Sequence, residues 1–432
     1  MGLPNREAGR QLRRKLRAQP RTEDAGRTAA RRQQPLDQGR PDVRPADPLK
    51  TGADAAWRAR RQARLRREWL LQGVVALLLI ALALLLARNV AANLEARHIR
   101  SGFDFLRDPA GFNIGELLFE YTSRDSYLRA FAIGMTNTLR VALAGIVLAS
   151  VLGIAVGLLR LSQHPLVSGL CAAYVEIFRN IPLLIQLLAI YLLITELLPG
   201  SNDAWSVAGT ALLSKEGLQI AVPEPGRLAL LCALVAFVVG AVVGLRAAQH
   251  WLEVGAGLVA LASGAVAALG AWLVVGAVAG WSRPVLDGFL ISGGASLTPE
   301  FLALWLGLAL FTSASIAEIV RAGALAVPAG QWDAALALGM TRAQAIAGAI
   351  FPQALRLAIP PLASQYMNLI KNSSLAVVIG YPDLVSIGNT SINQNGQALE
   401  VIVIIMAVYL SLNLVVAVVM NAINARVTRG PR

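Results

Sequence analysis

Eight apolar runs divide this chain, and their length is what most restricts its fold. A helix rises 1.5 Å per residue, so about 20 consecutive apolar residues cross a hydrocarbon layer. Runs of that order stand at Leu70–Ala87, about Phe131–Leu159, about Ile181–Leu198, Leu228–Leu245, about Val254–Gly280, about Phe301–Arg321, about Leu357–Tyr381 and Val401–Ile423. The chain is 56% hydrophobic and only 15% charged. An ordinary soluble domain is roughly 45–50% apolar and about 25% charged. These runs need lipid around them. The fold class expected is an all-α integral membrane protein, a polytopic helix bundle of about eight spans.

The formal charge of +13 is unevenly placed: 19 of the 39 Lys and Arg precede Trp69. Basic arms often bind nucleic acid. A basic tail running straight into an apolar span reads better as a cytoplasmic anchor, held inside by the positive-inside rule and drawn to anionic lipid. Its Arg, Gln, Pro and Asp content with few aromatics reads as disorder. No small-residue cleavage site ends the first apolar run, so no secretory signal is expected. Cys171 and Cys232 lack metal-ligand spacing and read as small buried hydrophobes. His98, His164 and His250 are far apart and carry no assignment.

With the tail inside, eight spans return the C-terminus to the same side. Arg160, Arg179, Arg246, Arg321, Arg342, Arg426, Arg429 and Arg432 then fall on the cytoplasmic side, and the loop carrying Asp383 has no Lys or Arg. The exception is the first outer segment, which holds Arg97, Arg100, Arg107 and Arg124. Glycines spaced as GxxxG occur at Gly153/Gly157, Gly240/Gly244 and Gly276/Gly280, a spacing that lets helices approach closely in lipid.

One polar, well-punctuated segment interrupts this pattern, from Pro328 to Pro361. Pro328 and Gly330 make a turn, and Gln331 to Leu338 reads as a short Ala-rich helix. Gly339 stands where a helix stops in the left-handed conformation. Thr341 and Gln344 have the capping-box spacing for a second helix, expected to run to Phe351 and to be broken by Pro352. Such an elbow is too short and polar to span, so it lies at the membrane surface. Its small residues, Ala334, Ala335 and Ala337, admit close approach by another backbone. On pattern alone, an ordinary cytoplasmic loop with two helical turns fits as well.

The segment resembles the EAA loop of permease subunits of ABC importers: Glu-Ala-Ala, three residues, Gly, nine residues, Ile, any residue, Leu-Pro. Asp333-Ala334-Ala335, Gly339 and Pro352 fall at that spacing. Asp333 replaces Glu, Ala349 replaces Ile and Phe351 replaces Leu, each keeping charge or apolarity. These departures favour a dedicated ATPase partner over a generic one. Glu176-Ile-Phe-Arg179-Asn-Ile-Pro182-Leu-Leu-Ile-Gln186 resembles the E-x-x-R-x-x-P-L-L-x-Q run of the polar amino-acid branch. Glu318-Ile-Val-Arg321-Ala-Gly323, Lys371-Asn-Ser-Ser374-Leu375 and the run Gly134 to Leu139 extend the match to about residues 130–198 and 301–425. An inserted hairpin and long outer loops resemble the larger subtype handling glutamate, glutamine, aspartate and asparagine, or L-amino acids generally.

The resemblance implies a type I ABC importer-like core and a mechanical role for the elbow. Asp333, Ala334, Ala335, Gly339, Thr341 and Pro352 would couple the chain to an ATPase, with Asp333 suited to the helix dipole. Charges inside spans are costly and so mark candidate functional positions. Lys371 falls near mid-span among Asn368, Asn372, Ser373 and Ser374. It suits either a substrate carboxylate or a buried structural pair. Gln186, Asn137 and Thr138 are further candidate lining residues, though an interhelical hydrogen bond suits each better. Glu176, Arg179, Pro182, Glu318 and Arg321 are structural or gate candidates, Glu318 and Arg321 as mutual neutralisers. Pro360-Pro361 would break the start of the seventh span and free backbone groups near a cytoplasmic gate.

The organisation expected begins with a basic tail (1–69), then the first span and outer segment (70–130). The first half of the permease core (131–198) is separated from the second half (301–425) by outer loops and an inserted hairpin (199–300). The second half contains the EAA loop (328–356), and a cytoplasmic C-terminus follows (426–432). The resemblance implies the permease subunit of an ABC importer for polar amino acids in a bacterial inner membrane, multi-pass, with both termini cytoplasmic. Its implied partners are a second permease, pointing to a heterodimer, two cytoplasmic ATPases and a periplasmic amino-acid-binding protein. No cofactor, metal or nucleic acid is expected. No phosphate loop of the GxxxxGK[ST] type occurs, so ATP chemistry must come from a partner and the chain is no enzyme. A secondary transporter would show coupling carboxylates deep in the spans and inverted halves. A membrane-embedded enzyme would show clustered His, Cys or carboxylates. Neither pattern is present in the sequence.

Overall fold

The computed structural model of the chain describes residues 48–96, 102–207, 209–249, 256–287 and 290–428. The tail to residue 47, Arg97, His98, Arg100, His250, the start of the fifth apolar run, Arg429 and Arg432 lie outside these. The chain divides into two compact units, Met1–Arg88 and Asn89–Arg432. In the first, among the described residues, a single helix begins, α1 (Pro48–Ala96), whose apolar stretch Arg66–Val90 is long enough to cross a membrane.

In the second unit, α2 (Tyr127–Leu159) and α7 (Pro299–Leu325) form the central pair. Around them stand α3 (Pro165–Asn180), α4 (Leu183–Leu197), α10 (Phe351–Asn372), α11 (Leu384–Asn395) and α12 (Ala398–Thr428). Both helices of the central pair start where the sequence supplies a cap. Ser126 Oγ accepts from the Arg129 N–H at 3.4 Å, and Thr298 Oγ1 accepts from the Phe301 N–H at 3.1 Å. The α2–α7 contact depends on missing side chains. A Cβ on Gly153 would stand 2.6 Å from the Cβ of Ile316, and one on Gly157 2.8 Å from the Ala317 carbonyl oxygen. Backbones that close gain packing where lipid offers no hydrophobic drive. Val141, Leu187, Leu304, Leu308, Ile316 and Leu369 are fully buried at this centre.

The inserted hairpin, α5 (Gly226–Gln249) and α6 (Ala256–Ala279), uses the same device: Gly240 and Gly244 face Ser263, and Gly264 faces Phe237. Gly276/Gly280 does not. Gly276 receives the Trp281 indole, and Gly280 takes φ +102° to end the helix, so the third glycine pair makes a turn rather than a helix contact.

The polar stretches beside the hairpin, expected as loops, form short strands: β1 (Trp205–Val207), β2 (Ala211–Ser214), β3 (Gly217–Ile220), β4 (Val222–Pro223), β5 (Trp281–Ser282), β6 (Val285–Asp287), β7 (Leu290–Ser292) and β8 (Ala295–Leu297). β1-β2-β3-β8 is an antiparallel sheet, with β4-β5 and β6-β7 as two-stranded ladders. Pairing of Leu218 with Leu297 and of Val222 with Ser282 joins the chain before the hairpin to the chain after it. The hairpin is therefore an excursion from a base of paired strands.

Among the described residues, six helices are long and apolar enough to cross a membrane, or up to eight if each of two bent pairs counts as one span. Four expectations change here. The third span is α3 plus α4, bent by 105°. Pro182 has no N–H and holds Ile181 extended (φ −85°, ψ 129°). Pro352 does not break its helix, because α9 (Arg342–Ala345) passes through a π turn (Ile346–Ile350) directly into α10. A proline leaves one carbonyl without its donor, and a π turn shifts the ladder to absorb this. Pro360 and Pro361 likewise sit inside α10. The loop carrying Asp383 is helix α11, with Asp383 as its N-cap, accepting from the Ser386 N–H at 2.8 Å.

At the Thr298 end of the bundle, the first outer segment is folded. Phe105, Phe112, Ile114 and Tyr121 pack with Tyr127, Phe131, Leu384 and Val401. Glu116 is ion-paired with Arg140 and accepts from Thr298 Oγ1 at 2.9 Å.

Candidate functional site

The elbow lies at the opposite end of α7. After Val327 and Pro328 the chain forms α8 (Ala329–Ala337). Three bonds close it: Leu338 N–H to Ala334 O (3.1 Å), Gly339 N–H to Leu336 O (2.9 Å) and Met340 N–H to Ala335 O (3.2 Å). Gly339 takes φ +79°, with open space around it, so backbone conformation and not crowding selects glycine. The capping box is complete. Gln344 Oε1 accepts from the Thr341 N–H at 2.8 Å, and Thr341 Oγ1 accepts from the Gln344 N–H at 3.3 Å.

The elbow has an inward and an outward face. Ala335 is buried, and Trp332 packs with Ala324, Val327, Ile350 and Ala354. Arg342 lies 5.6 Å from the centre of the Trp332 ring, a cation–π contact between the two arms. Gln353 Nε2 donates to Gln331 Oε1 at 3.2 Å. Outward stand Asp333, Ala334, Ala337 and Thr341, with Leu336 49% and Leu338 82% exposed. Of the three small residues, Ala334 and Ala337 are available to another protein, and Ala335 packs inward. Sequence reasoning missed Leu336 and Leu338. Their signal was two leucines in an otherwise polar, alanine-rich elbow, since a polar surface that exposes large apolar side chains marks a contact. Pro352 is half-buried in the first turn of α10.

From Arg342 to Ile379 the chain is helical without interruption. One face of α10 is exposed along its length at Arg356, Pro360, Ser364, Asn368 and Lys371, a spacing of three or four that makes one stripe. Asn372 and Ser374 are half-buried beside it, with Ser374 Oγ donating to Lys371 O. The remaining path candidates are committed elsewhere. Ser373 is buried and donates to Ile370 O at 2.7 Å. Asn137 and Thr138 are fully buried: Asn137 Nδ2 donates to Glu116 O and Pro382 O, and Thr138 Oγ1 accepts from the Leu384 N–H. Gln186 Nε2 donates to Phe178 O and Ile181 O at 2.8 Å each, satisfying carbonyls that the Pro182 break leaves bare. Asn137 and Thr138 thus bond across to the segment at Pro382–Leu384, and Gln186 across the Pro182 break, while Ser373 bonds within its own helix.

Near the elbow end, Glu318 is shared. Its Oε1 takes Arg321 Nη2 at 2.6 Å, and its Oε2 is ion-paired with Arg160. Arg160 was not a site candidate in the sequence, because only the fold brings the end of α2 to α7. Glu176, Arg179 and Asn180 complete the wall of a cavity of about 370 Å3 against this triad. Among the described residues, no group of His, Cys, Asp and Glu could hold a metal.

Residues 145–429 match the family described as binding-protein-dependent transport system inner membrane component. The putative amino-acid ABC transporter permease protein YhdX of Escherichia coli (strain K12) is 43% identical over 371 residues, covering 84% of this chain and 94% of that protein. The general L-amino acid transport system permease protein AapQ of Rhizobium johnstonii is 40% identical over 347 residues, 79% of this chain and 87% of that protein. The glutamate/glutamine/aspartate/asparagine transport system permease protein BztB of Rhodobacter capsulatus is 34% identical over 404 residues, 83% of this chain and 93% of that protein.

Proposed function

We propose that this chain, which belongs to the family of binding-protein-dependent transport system inner membrane components and is a permease subunit of an amino-acid ABC importer, turns motion at its elbow into opening of a path along α10. The observation that carries this is continuity. The second arm of the elbow and the polar stripe of α10 are parts of one helical rod from Arg342 to Ile379. A continuous helix of that kind joins the second arm of the elbow, from Arg342, to Lys371.

The elbow sits in the cytoplasm, with both chain termini, and a separate ATPase seats its exposed face. Leu338, Leu336, Ala334 and Ala337 supply apolar contact, and Asp333 supplies a charge for a basic residue of the ATPase. Gly339 sets the angle between the arms. The apolar fraction of the face is what such a contact needs at its centre.

The stripe on α10 is the path. Exposed Arg356, Ser364, Asn368 and Lys371 on a membrane helix are costly against lipid, so they face water or another subunit. Pro360 and Pro361 have no N–H, so the helix cannot bond the Arg356 and Leu357 carbonyls, and both residues are exposed. Lys371 meets a carboxylate and the bare carbonyls meet an ammonium, the two charges every amino acid carries. A second permease, different from this one, covers the other side of the path. A periplasmic binding protein delivers the substrate. Two relatives, one named for general L-amino-acid transport and one for glutamate, glutamine, aspartate and asparagine, favour a broad L-amino-acid range.

Uptake by membrane vesicles carrying the assembled importer tests this. ATP-dependent uptake that survives collapse of ion gradients is expected, with two permeases, two ATPases and a binding protein recovered together. Uptake driven by an ion gradient without ATP would overturn the reading.

A further inference from the structure

The cavity beside the Arg160–Glu318–Arg321 triad holds two charges that the fold does not use. Glu176 and Arg179 lie three residues apart on α3, both exposed, and neither makes an ion pair among the described residues. Glutamate three residues ahead of a cation on a helix is the arrangement that ordinarily pairs. Here the two are held apart, facing about 370 Å3 of space. Behind them Glu318 is saturated by two guanidiniums, with side-chain exposures of 15% for Arg160, 27% for Glu318 and 32% for Arg321. The five charged side chains sum to one net positive charge, and Asn180 adds amide donors at the rim.

We propose that this cavity is a second station for the substrate, binding the α-ammonium and α-carboxylate of an amino acid between Glu176 and Arg179. This rests on the amino-acid path described above. The planar guanidinium of Arg179 matches a carboxylate with two parallel hydrogen bonds. Glu176 meets the ammonium, so neither charge of the zwitterion is left bare when water is removed. The residual positive charge of the triad favours a second carboxylate on the side chain. The station thus prefers glutamate and aspartate to their amides, and both to lysine. A phospholipid phosphate would also suit three arginines at the inner surface. Glu176 argues against an anionic headgroup such as phosphatidylglycerol, because a carboxylate repels an anion.

The test uses the complete importer in lipid nanodiscs, with and without phosphatidylglycerol, and measures competition against radiolabelled glutamate in the absence of the binding protein. The competitors are glutarate, which lacks the ammonium, and the α-amide of glutamate, which lacks the carboxylate. Wild-type importer is expected to bind glutamate at least tenfold tighter than either. Glu176→Gln should lose the discrimination against glutarate alone, and Arg179→Gln the discrimination against the α-amide alone. Arg179→Lys keeps the charge without the fork and should fall between, which separates recognition from misfolding. Binding ratios unchanged in both variants, or glutamate binding that follows phosphatidylglycerol content, would overturn the station. In that case ATP-driven uptake by the wild-type complex still upholds the importer reading, and its loss would count against that reading instead.

Discussion

Thr341 and Gln344 bind each other's backbone. The Thr341 N–H reaches Gln344 Oε1 at 2.8 Å, and the Gln344 N–H reaches Thr341 Oγ1 at 3.3 Å. This reciprocal cap starts a helical rod that ends at Ile379, so a pair of polar side chains at the surface sets the lower end of the α10 stripe. Thr341→Ala removes half of the box at a cost of about 1 kcal/mol. Faster amide exchange at residues 341–345 and weaker coupling of uptake to ATP hydrolysis are expected. Unchanged exchange there would show that the cap does not hold the rod.

Leu338 is the most exposed large apolar residue of the elbow, at 82%. Leu338→Asp puts a charge at the centre of the proposed ATPase contact, and loss of well over tenfold in ATPase affinity is expected, since hot-spot truncations reach about 2 kcal/mol or more. Size-exclusion of the complex with and without the variant measures it. Folding of the permease should not change, because the side chain touches nothing it would leave empty.

Gly153→Val drives a branched side chain into Ile316, where a bare Cβ is already 2.6 Å away. Overpacking of this kind costs roughly 1–3 kcal/mol or more. The thermal midpoint of the purified permease should fall clearly. Gly169→Val is the control, since nothing lies within 4 Å of a Cβ there, and its midpoint should move little.

Arg160→Gln leaves Glu318 with Arg321 alone. Partly buried pairs are screened less than surface ones, and about 1 kcal/mol of destabilisation is expected. A cycle combining Arg160→Gln with Glu318→Gln should recover part of the loss. Strict additivity would show that the two do not interact.

Much of this was legible in the chain itself. Apolar run length marked the spans, and turn and cap residues marked the elbow down to Gly339 and the Thr341–Gln344 box. What failed was local reading at prolines. Pro182 does bend its span, yet Pro352, Pro360 and Pro361 stay within helix, because a π turn and an exposed face accommodate what each proline removes. The α11 helix escaped notice because its polar Asn389, Thr390, Ser391 and Asn393 read as loop. Asp383 at its start is fully buried, with Tyr409 donating to it at 3.2 Å. The short strands were invisible, since none exceeds four residues, and β3–β8 and β4–β5 pair segments separated by the whole hairpin. Pairings such as Arg160 with Glu318 depend on helix neighbours that no local pattern encodes.

Replacing Gly339 by valine, which resists the left-handed backbone at φ +79°, probes the elbow most directly when ATP-driven amino-acid uptake is measured together with the ATPase retained by the complex. If the elbow transmits the ATPase stroke, uptake falls at least tenfold and ATPase retention drops, while the thermal midpoint of the α2–α7 body stays near that of the unaltered protein. Full uptake with full ATPase retention would contradict it.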